Sequence, residues 1–149
     1  MFGEVAEPTL GPLGKVFVAT GQLPFSADVI GDHDAPHAVY PPDAVVSVEF
    51  GEHLAGVCVG CHGQALDGGV IPGGDPSWAP AANLTPHDDG LAGWSYEQFV
   101  SALRETVGPN GVPLRAPMDM VARYAAQMTD TELSALWAYV QSIPALPGN

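Results

Sequence analysis

The feature that most constrains the fold of this chain is a pair of cysteines placed three residues apart and followed directly by a histidine. They form the stretch Cys58-Val59-Gly60-Cys61-His62, and the chain contains no other cysteine. On a helical turn, two side chains three residues apart face the same side. Such a thiol pair is typical of a redox dithiol, of part of a zinc site, or of the attachment point of a c-type haem.

The zinc and dithiol interpretations need a context that the sequence does not supply. A structural zinc site needs two further nitrogen or sulfur ligands at suitable spacing. The remaining histidines form no second cluster, and we expect them to be solvated surface residues: His33, His37, His53 and His87. A thioredoxin-like dithiol belongs in a βαβ pattern, which this sequence lacks. A haem is therefore favoured, with Cys58 and Cys61 bonded to the porphyrin and His62 as the proximal iron ligand.

Apolar periodicity places the cysteine pair at the end of a helix. The predicted helix begins near residue 46 and ends at His62-Gly63, and both cysteines lie on its apolar stripe, which consists of Phe50, Leu54, Val57, Cys58 and Cys61. A long Gly/Pro-rich loop follows over residues 67–93. Loops of this length are usually functional.

Capping signals mark two further helices. Ser95 with Gln98, and Thr129 with Glu132, each match a capping box, in which an N-cap hydroxyl and a side chain three residues later bond each other's backbone N–H groups. The second helix should end at Pro144. Between the two lies a loop that leads into a shorter helix, and no segment alternates like a strand. The sequence therefore predicts an all-α fold with three to four helices and long loops.

The first 45 residues differ from the rest. Pro, Gly and Asp interrupt their apolar residues, which predicts an extended arm with one short turn of helix near Val16–Thr20, followed by one domain over residues 46–149. The whole chain contains 18 Gly and 15 Pro, so that this domain buries little apolar area of its own. A large, flat, apolar cofactor at its centre would supply the missing contacts.

The net charge of the chain limits the classes of partner that it can bind. Four basic residues stand against 17 acidic residues, which gives a net charge of −13. This balance argues against nucleic acid and anionic membrane surfaces as partners. It suits a partner with a basic docking face, and the alternative is that the acidic surface serves only to keep the protein in solution. No apolar run is long enough for a transmembrane helix, and no leader pattern is visible at the start of the chain.

Three stretches in combination resemble the class I mono-haem c-type cytochromes, in the bacterial subgroup that joins a CxxCH motif to PAANLTP, GGW and MTDxEL segments. Over about residues 46–146 they read CVGCHGQALDGG, PAANLTPHDDGLAGWSYEQFVSALRETV and MTDTELSALWAYVQSIP. The resemblance implies the cytochrome c fold around one covalent haem c with His/Met ligation. It also implies one-electron transfer between a dehydrogenase or reductase and an oxidase or respiratory complex, as a carrier or as a cytochrome subunit or domain of a larger oxidoreductase.

The resemblance also bears on location, because thioether attachment takes place outside the cytoplasm. It implies a periplasmic or other extracytoplasmic protein, soluble or membrane-anchored. The stretch GPLGKVFVATGQLP resembles segments that follow an N-terminal membrane anchor in such proteins. A removed signal or an anchor upstream of this chain is compatible with that pattern.

The methionine ligand is the point at which the sequence departs from the family pattern. Counting back eight residues from Met128 gives Met120, whereas aligning the segment LRxPM gives Met118. Because the following helix packs on the core and so fixes the spacing, the resemblance favours Met120, with Met118 as the alternative. A haem enzyme or a gas or redox sensor with a displaceable distal ligand is the alternative function that this ambiguity leaves open.

Further residues are assigned through the resemblance. It places Asn83 and Trp94 near the haem edge, where they and Arg104 would bond the propionates. A helix staple for Trp94 and a turn cap for Asn83 are the competing interpretations. Pro72 is expected to provide the carbonyl that orients the Nδ1–H of His62, a usual role for the partner of a metal-bound imidazole; Pro76 and Pro80 compete with it.

Overall fold

The structure of the chain, a computed structural model, describes residues 11–21 and 41–149. The chain divides into two units, residues 1–39 and 40–149, which we describe separately. In the first unit, helix α1 spans Pro12–Ala19, with a proline in its first turn. The predicted turn near Val16–Thr20 therefore belongs to a longer helix. His33, His37 and most of the predicted extended arm lie outside the described residues.

The predicted helix that carries the cysteines is in fact two helices. Helix α2 spans Val48–Ala55 and begins at Ser47, whose hydroxyl accepts a hydrogen bond from the Phe50 N–H at 3.1 Å. Helix α3 is a single turn, Val59–His62. Val57 lies at the break between the two helices and is 87% exposed.

The Gly/Pro-rich loop after α3 contains no helix, as predicted. Its two arms meet at an isolated antiparallel bridge between Gly69 and Ala81. Gly68 has a φ of +82°, and a β-carbon there would overlap the backbone of Ala81 and Ala82. Glycine is required at this position because the two arms of the loop touch there.

Helices α4, Tyr96–Glu105, and α6, Asp130–Ser142, both begin with the predicted capping boxes. A 3₁₀ turn, Pro109–Gly111, and helix α5, Met118–Ala125, lie between them. The described residues contain no β-strand, only isolated bridges. The predicted all-α class is confirmed, with more helices than predicted because the cysteine-bearing helix is divided. No helix within the described ranges has the length and apolarity to cross a membrane.

Helices α2 and α6 pack closely enough to exclude a side chain at their crossing. A β-carbon on Gly51 would overlap the carbonyl oxygen of Ala135 and lie 2.7 Å from the β-carbon of Tyr139. The core next to this crossing is small, as the composition indicated; its buried members are Ala55, Leu66, Leu91, Phe99, Leu136 and Val140.

Substituting alanine for Gly51 is expected to lower the free energy of unfolding by about 1–3 kcal/mol, because the two helices must move apart to admit the methyl group. Chemical denaturation of the haem-loaded protein measures this loss. Gly93→Ala is the control, since a β-carbon on Gly93 meets no atom within 4 Å. Equal stabilities for the two variants would show that the helices do not touch at Gly51.

Candidate functional site

A cavity of about 680 Å³ lies between the cysteine-bearing helices, the Gly/Pro-rich loop and helix α5. This volume falls within the range of about 300–1,000 Å³ found for cofactor and ligand pockets. Most of its lining side chains are apolar, and among them are Cys58, Cys61, His62 and Met118. Three of these residues, Cys58, His62 and Met118, also line a neighbouring cavity of about 60 Å³.

Cys58 and Cys61 are half-buried free thiols on the cavity wall. Burial raises the pKa of the Cys58 thiol, and the neighbouring Cys61 raises it further. Redox-active dithiols have the opposite property, a lowered pKa that exposes a thiolate. The environment of Cys58 therefore lacks the lowered thiol pKa of a redox-active dithiol.

His62 is held by the backbone of the loop. Its Nδ1–H donates to the carbonyl oxygen of Ala82 at 2.8 Å, so the expectation that Pro72 provides this oxygen is wrong; Pro76 and Pro80 are likewise not the acceptor. Burial lowers the pKa of His62, and the hydrogen bond to Ala82 opposes this shift. The neutral ring with its proton on Nδ1 leaves Nε2 free to coordinate a metal.

Met118 and Met120 occupy the first turn of helix α5. Side chains two positions apart on a helix point about 200° apart. Met118 lines the cavity, on the same helix face as Val121 and Ala125. Met120 is absent from the cavity wall and is 44% exposed. The structure thus brings Met118, and not the favoured Met120, to the same cavity as His62.

Of the three residues assigned to the haem edge, the structure brings one to the cavity. Trp94 lines the cavity and also packs against the core. Asn83 is not among the lining residues; it is buried, and its amide donates to Asp89 and to the carbonyl of Leu146. Arg104 donates to Asp130 at 2.7 Å and to the Met128 carbonyl at 3.1 Å, so its guanidinium is engaged away from the cavity.

Two of the histidines expected at the surface lie within the described residues. His53 is exposed and borders the cavity, whereas His87 pairs with Asp89 at 2.7 Å. Within residues 11–21 and 41–149, no three His, Cys, Asp or Glu side chains are grouped to hold a metal ion.

Arg115 is the cavity residue that sequence reasoning missed. It is the one Lys or Arg side chain on the lining, and among the described residues its guanidinium makes no hydrogen bond. Arg123, in contrast, donates to the Met120 carbonyl at 2.8 Å. The signal that could have found Arg115 is its position three residues before Met118 in a chain with only four basic residues.

These residues fit a haem c. One wall carries two thiols three residues apart and an imidazole with a free Nε2, another wall carries a thioether, and apolar side chains line the space between them. This donor set matches covalent attachment together with His/Met axial coordination.

Comparison with known proteins decides the family. A family model described as cytochrome c matches residues 48–144. The chain belongs to the cytochrome c family. The match begins at the first residue of α2 and ends just after α6, so it includes every helix that lines the cavity.

Curated relatives of this cytochrome are subunits of larger enzymes. It is 36% identical over 100 residues to the gluconate 2-dehydrogenase cytochrome c subunit of Pantoea cypripedii, an alignment that covers 62% of this chain and 22% of the relative. It is 30% identical over 104 residues to the fructose dehydrogenase cytochrome subunit of Gluconobacter japonicus, which covers 64% of this chain and 21% of the relative. The chain thus spans about a fifth of the length of each relative.

Family membership establishes the chemistry of this domain. The cytochrome carries one covalently attached haem c and transfers electrons, and Cys58 and Cys61 are the two cysteines of the chain. As a member of this family, the domain is an electron carrier. The alternative of a haem enzyme or sensor is not favoured by these relatives.

Proposed function

We propose that this chain is the one-electron relay of a dehydrogenase-linked electron-transfer protein and that its haem iron is held between His62 and Met118. The observation that supports this ligand pair is their presence on one cavity, with both thiols beside His62 and Met120 outside. We further assign the chain to the bacterial subgroup defined by the PAANLTP and MTDxEL segments. Residues 1–45 form a separate arm before the cytochrome domain.

The proposed partner is a dehydrogenase. Two curated relatives are named as cytochrome subunits of sugar or sugar-acid dehydrogenases, and we extend that association to this chain. The net charge of −13 suits a basic docking face, because opposite charge accelerates encounter between redox proteins. We place the protein outside the cytoplasm, where haem attachment occurs.

When bound, the haem supplies a couple between ferric and ferrous iron. The chain attaches the haem, orients its ligand and excludes water from it. Cys58 and Cys61 hold the cofactor at a fixed place, while the Ala82 carbonyl keeps the His62 ring in one tautomer and raises its basicity as a ligand. Apolar side chains of the loop and of helix α5 exclude water, which helps to set the reduction potential.

Arg115 and Trp94 are the proposed partners of the haem propionates, in place of Arg104 and Asn83. Arg115→Gln is expected to lower the reduction potential by roughly 30–60 mV, where about 59 mV is a tenfold change for one electron. Loss of a nearby positive charge disfavours reduction, and it also raises the pKa of a propionate that the arginine had stabilised. The potential of the variant should therefore become more dependent on pH.

Arg123→Gln is the matched control, because it removes the same charge from a side chain that is absent from the cavity wall. Potentiometric titration of both variants across the neutral pH range distinguishes the effects of the two substitutions on the reduction potential. Equal shifts for Arg115→Gln and Arg123→Gln would show that only net charge matters and that Arg115 binds no propionate.

The proposed relay function is tested by a redox titration of the purified, haem-loaded protein monitored by its absorption spectrum. We expect a one-electron transition between two six-coordinate, low-spin states and no binding of carbon monoxide to the native reduced protein. A five-coordinate spectrum with ready carbon monoxide binding would overturn the carrier function and restore the sensor or enzyme alternative.

A further inference from the structure

The segment after helix α6, residues 144–149, returns to the Gly/Pro-rich loop and is fastened to it by hydrogen bonds. We call this arrangement the tail clasp; its members are Asn83, Thr85, Asp89, Leu146 and Gly148. The carbonyl of Leu146 accepts from Asn83 Nδ2 at 2.7 Å and from Thr85 Oγ1 at 2.9 Å. The N–H of Gly148 donates to Asp89 Oδ2 at 2.8 Å.

Asn83 is at the centre of the clasp, and most of the hydrogen-bonding capacity of its side-chain amide is satisfied there. Besides Leu146, its Nδ2 donates to Asp89 Oδ1 at 2.7 Å, and its Oδ1 accepts the Thr85 N–H at 2.8 Å. Asn83 is 7% exposed and Thr85 is fully buried. A buried amide that makes three hydrogen bonds fixes its own backbone, since each lost bond would leave a buried polar group unpaired.

The residue that precedes Asn83 is the one that holds His62. Ala82 provides the carbonyl oxygen that accepts from His62 Nδ1 at 2.8 Å. The backbone on both sides of this carbonyl is tied down, by the Gly69–Ala81 pair of hydrogen bonds before it and by the Leu84 N–H, which donates to Leu66 O at 2.8 Å, after it. The tail also reaches the other arm of the loop, where Asn149 N–H donates to Asp67 O at 3.1 Å.

We propose that Asn83 is a positioning residue for the proximal ligand: with the tail as its support, it keeps the Ala82 carbonyl on the Nδ1–H of His62. This proposal rests on the proposed function in one respect, since it takes His62 as the iron ligand. Asn83 acts through the backbone of Ala82 and does not line the cavity. The tail clasp therefore couples the segment after α6 to the haem ligand without touching the haem pocket.

The proposal predicts a local effect on one proton. In the reduced protein, the Nδ1–H of His62 exchanges with solvent when its hydrogen bond to Ala82 opens. The clasp limits that opening, and local openings of this kind are distinct from global unfolding. Asn83→Ala and Thr85→Val, which remove hydrogen bonds of the clasp, are each expected to accelerate this exchange about tenfold or more.

The test is hydrogen exchange of the His62 ring, measured by NMR on the ¹⁵N-labelled, reduced, haem-loaded protein. Gln98→Ala is the control, because it breaks the capping box of α4 and lowers global stability without touching the loop. Faster exchange in the clasp variants but not in Gln98→Ala supports the proposal. Exchange that stays at the wild-type rate, or that rises equally in Gln98→Ala, overturns it. Should Asn83→Ala fail to fold, Thr85→Val alone decides in the same way.

The same NMR spectrum tests the assignment of His62 as iron ligand separately from the positioning role of Asn83. If His62 binds the iron, its ring resonances carry the large shifts produced by an adjacent haem. Their absence in the wild-type protein would overturn His62 as ligand and the positioning role with it. Shifted resonances with an unchanged exchange rate in the variants would overturn the role of Asn83 alone.

Discussion

Met118→Ala is expected to remove the sixth ligand of the iron, whereas Met120→Ala is expected to leave it in place. The oxidised Met118→Ala protein should lose the weak red charge-transfer band of methionine-ligated haem and should bind carbon monoxide once reduced. Its reduction potential should fall by on the order of 0.1–0.2 V, within the range of about 0.8 V over which axial ligands act. Methionine ligation favours the reduced state, so its loss lowers the potential.

The matched variant is Met120→Ala, which changes the same side chain two residues along the same helix. Met120 is 44% exposed and does not line the cavity, so we expect its band and potential to match the wild type. Loss of the band in Met120→Ala, with the band kept in Met118→Ala, would reverse the ligand assignment and restore the choice that residue counting favoured.

The double variant Cys58→Ala/Cys61→Ala is expected to lose covalent haem completely when it is produced in cells with haem-attachment machinery. The chain has two cysteines, so no other thiol can form the thioether. On a denaturing gel stained for haem, the band of the double variant should carry no haem. The melting temperature should fall by about 10 °C or more, since each ~1 kcal/mol shifts a domain of about 100 residues by roughly 4–8 °C.

The single variant Cys58→Ala serves as its control, because Cys61 still provides one thioether bond. Haem should stay with that chain through denaturation. If haem also remained with the double variant, or if the wild-type protein released its haem on denaturation, attachment through these two thiols would be contradicted. Mass spectrometry of the intact chain gives the same answer independently.

Features encoded by a few neighbouring residues were predictable. Both capping boxes, Ser95 with Gln98 and Thr129 with Glu132, are present as predicted, because each depends on side chains and N–H groups within one helical turn. The length of the helix that carries the cysteines was not predictable. Its periodicity continues through Gly56 and Val57, but the backbone breaks there into two helices.

Features that depend on how distant residues are placed in three dimensions could not be predicted from the sequence. A carbonyl partner for His62 has no side-chain signature, so Ala82 could not be distinguished from Pro72 in advance. Counting back from Met128 favoured Met120, because the spacing to the last helix was taken as fixed and the position of both methionines on helix α5 was unknown. Arg104 was assigned through the family resemblance, yet its guanidinium donates to Asp130 and to the Met128 carbonyl.

The central claim, a haem c held between His62 and Met118, is tested most directly by NMR of the reduced protein labelled with ¹³C at its methionine methyl groups. The chain has four methionines, and a methyl group bound through sulfur to the iron lies over the haem ring and is strongly shifted. We predict one such signal, present in Met120→Leu and absent from Met118→Leu. A shifted signal that survives Met118→Leu, or no shifted signal in the wild type, would contradict the claim.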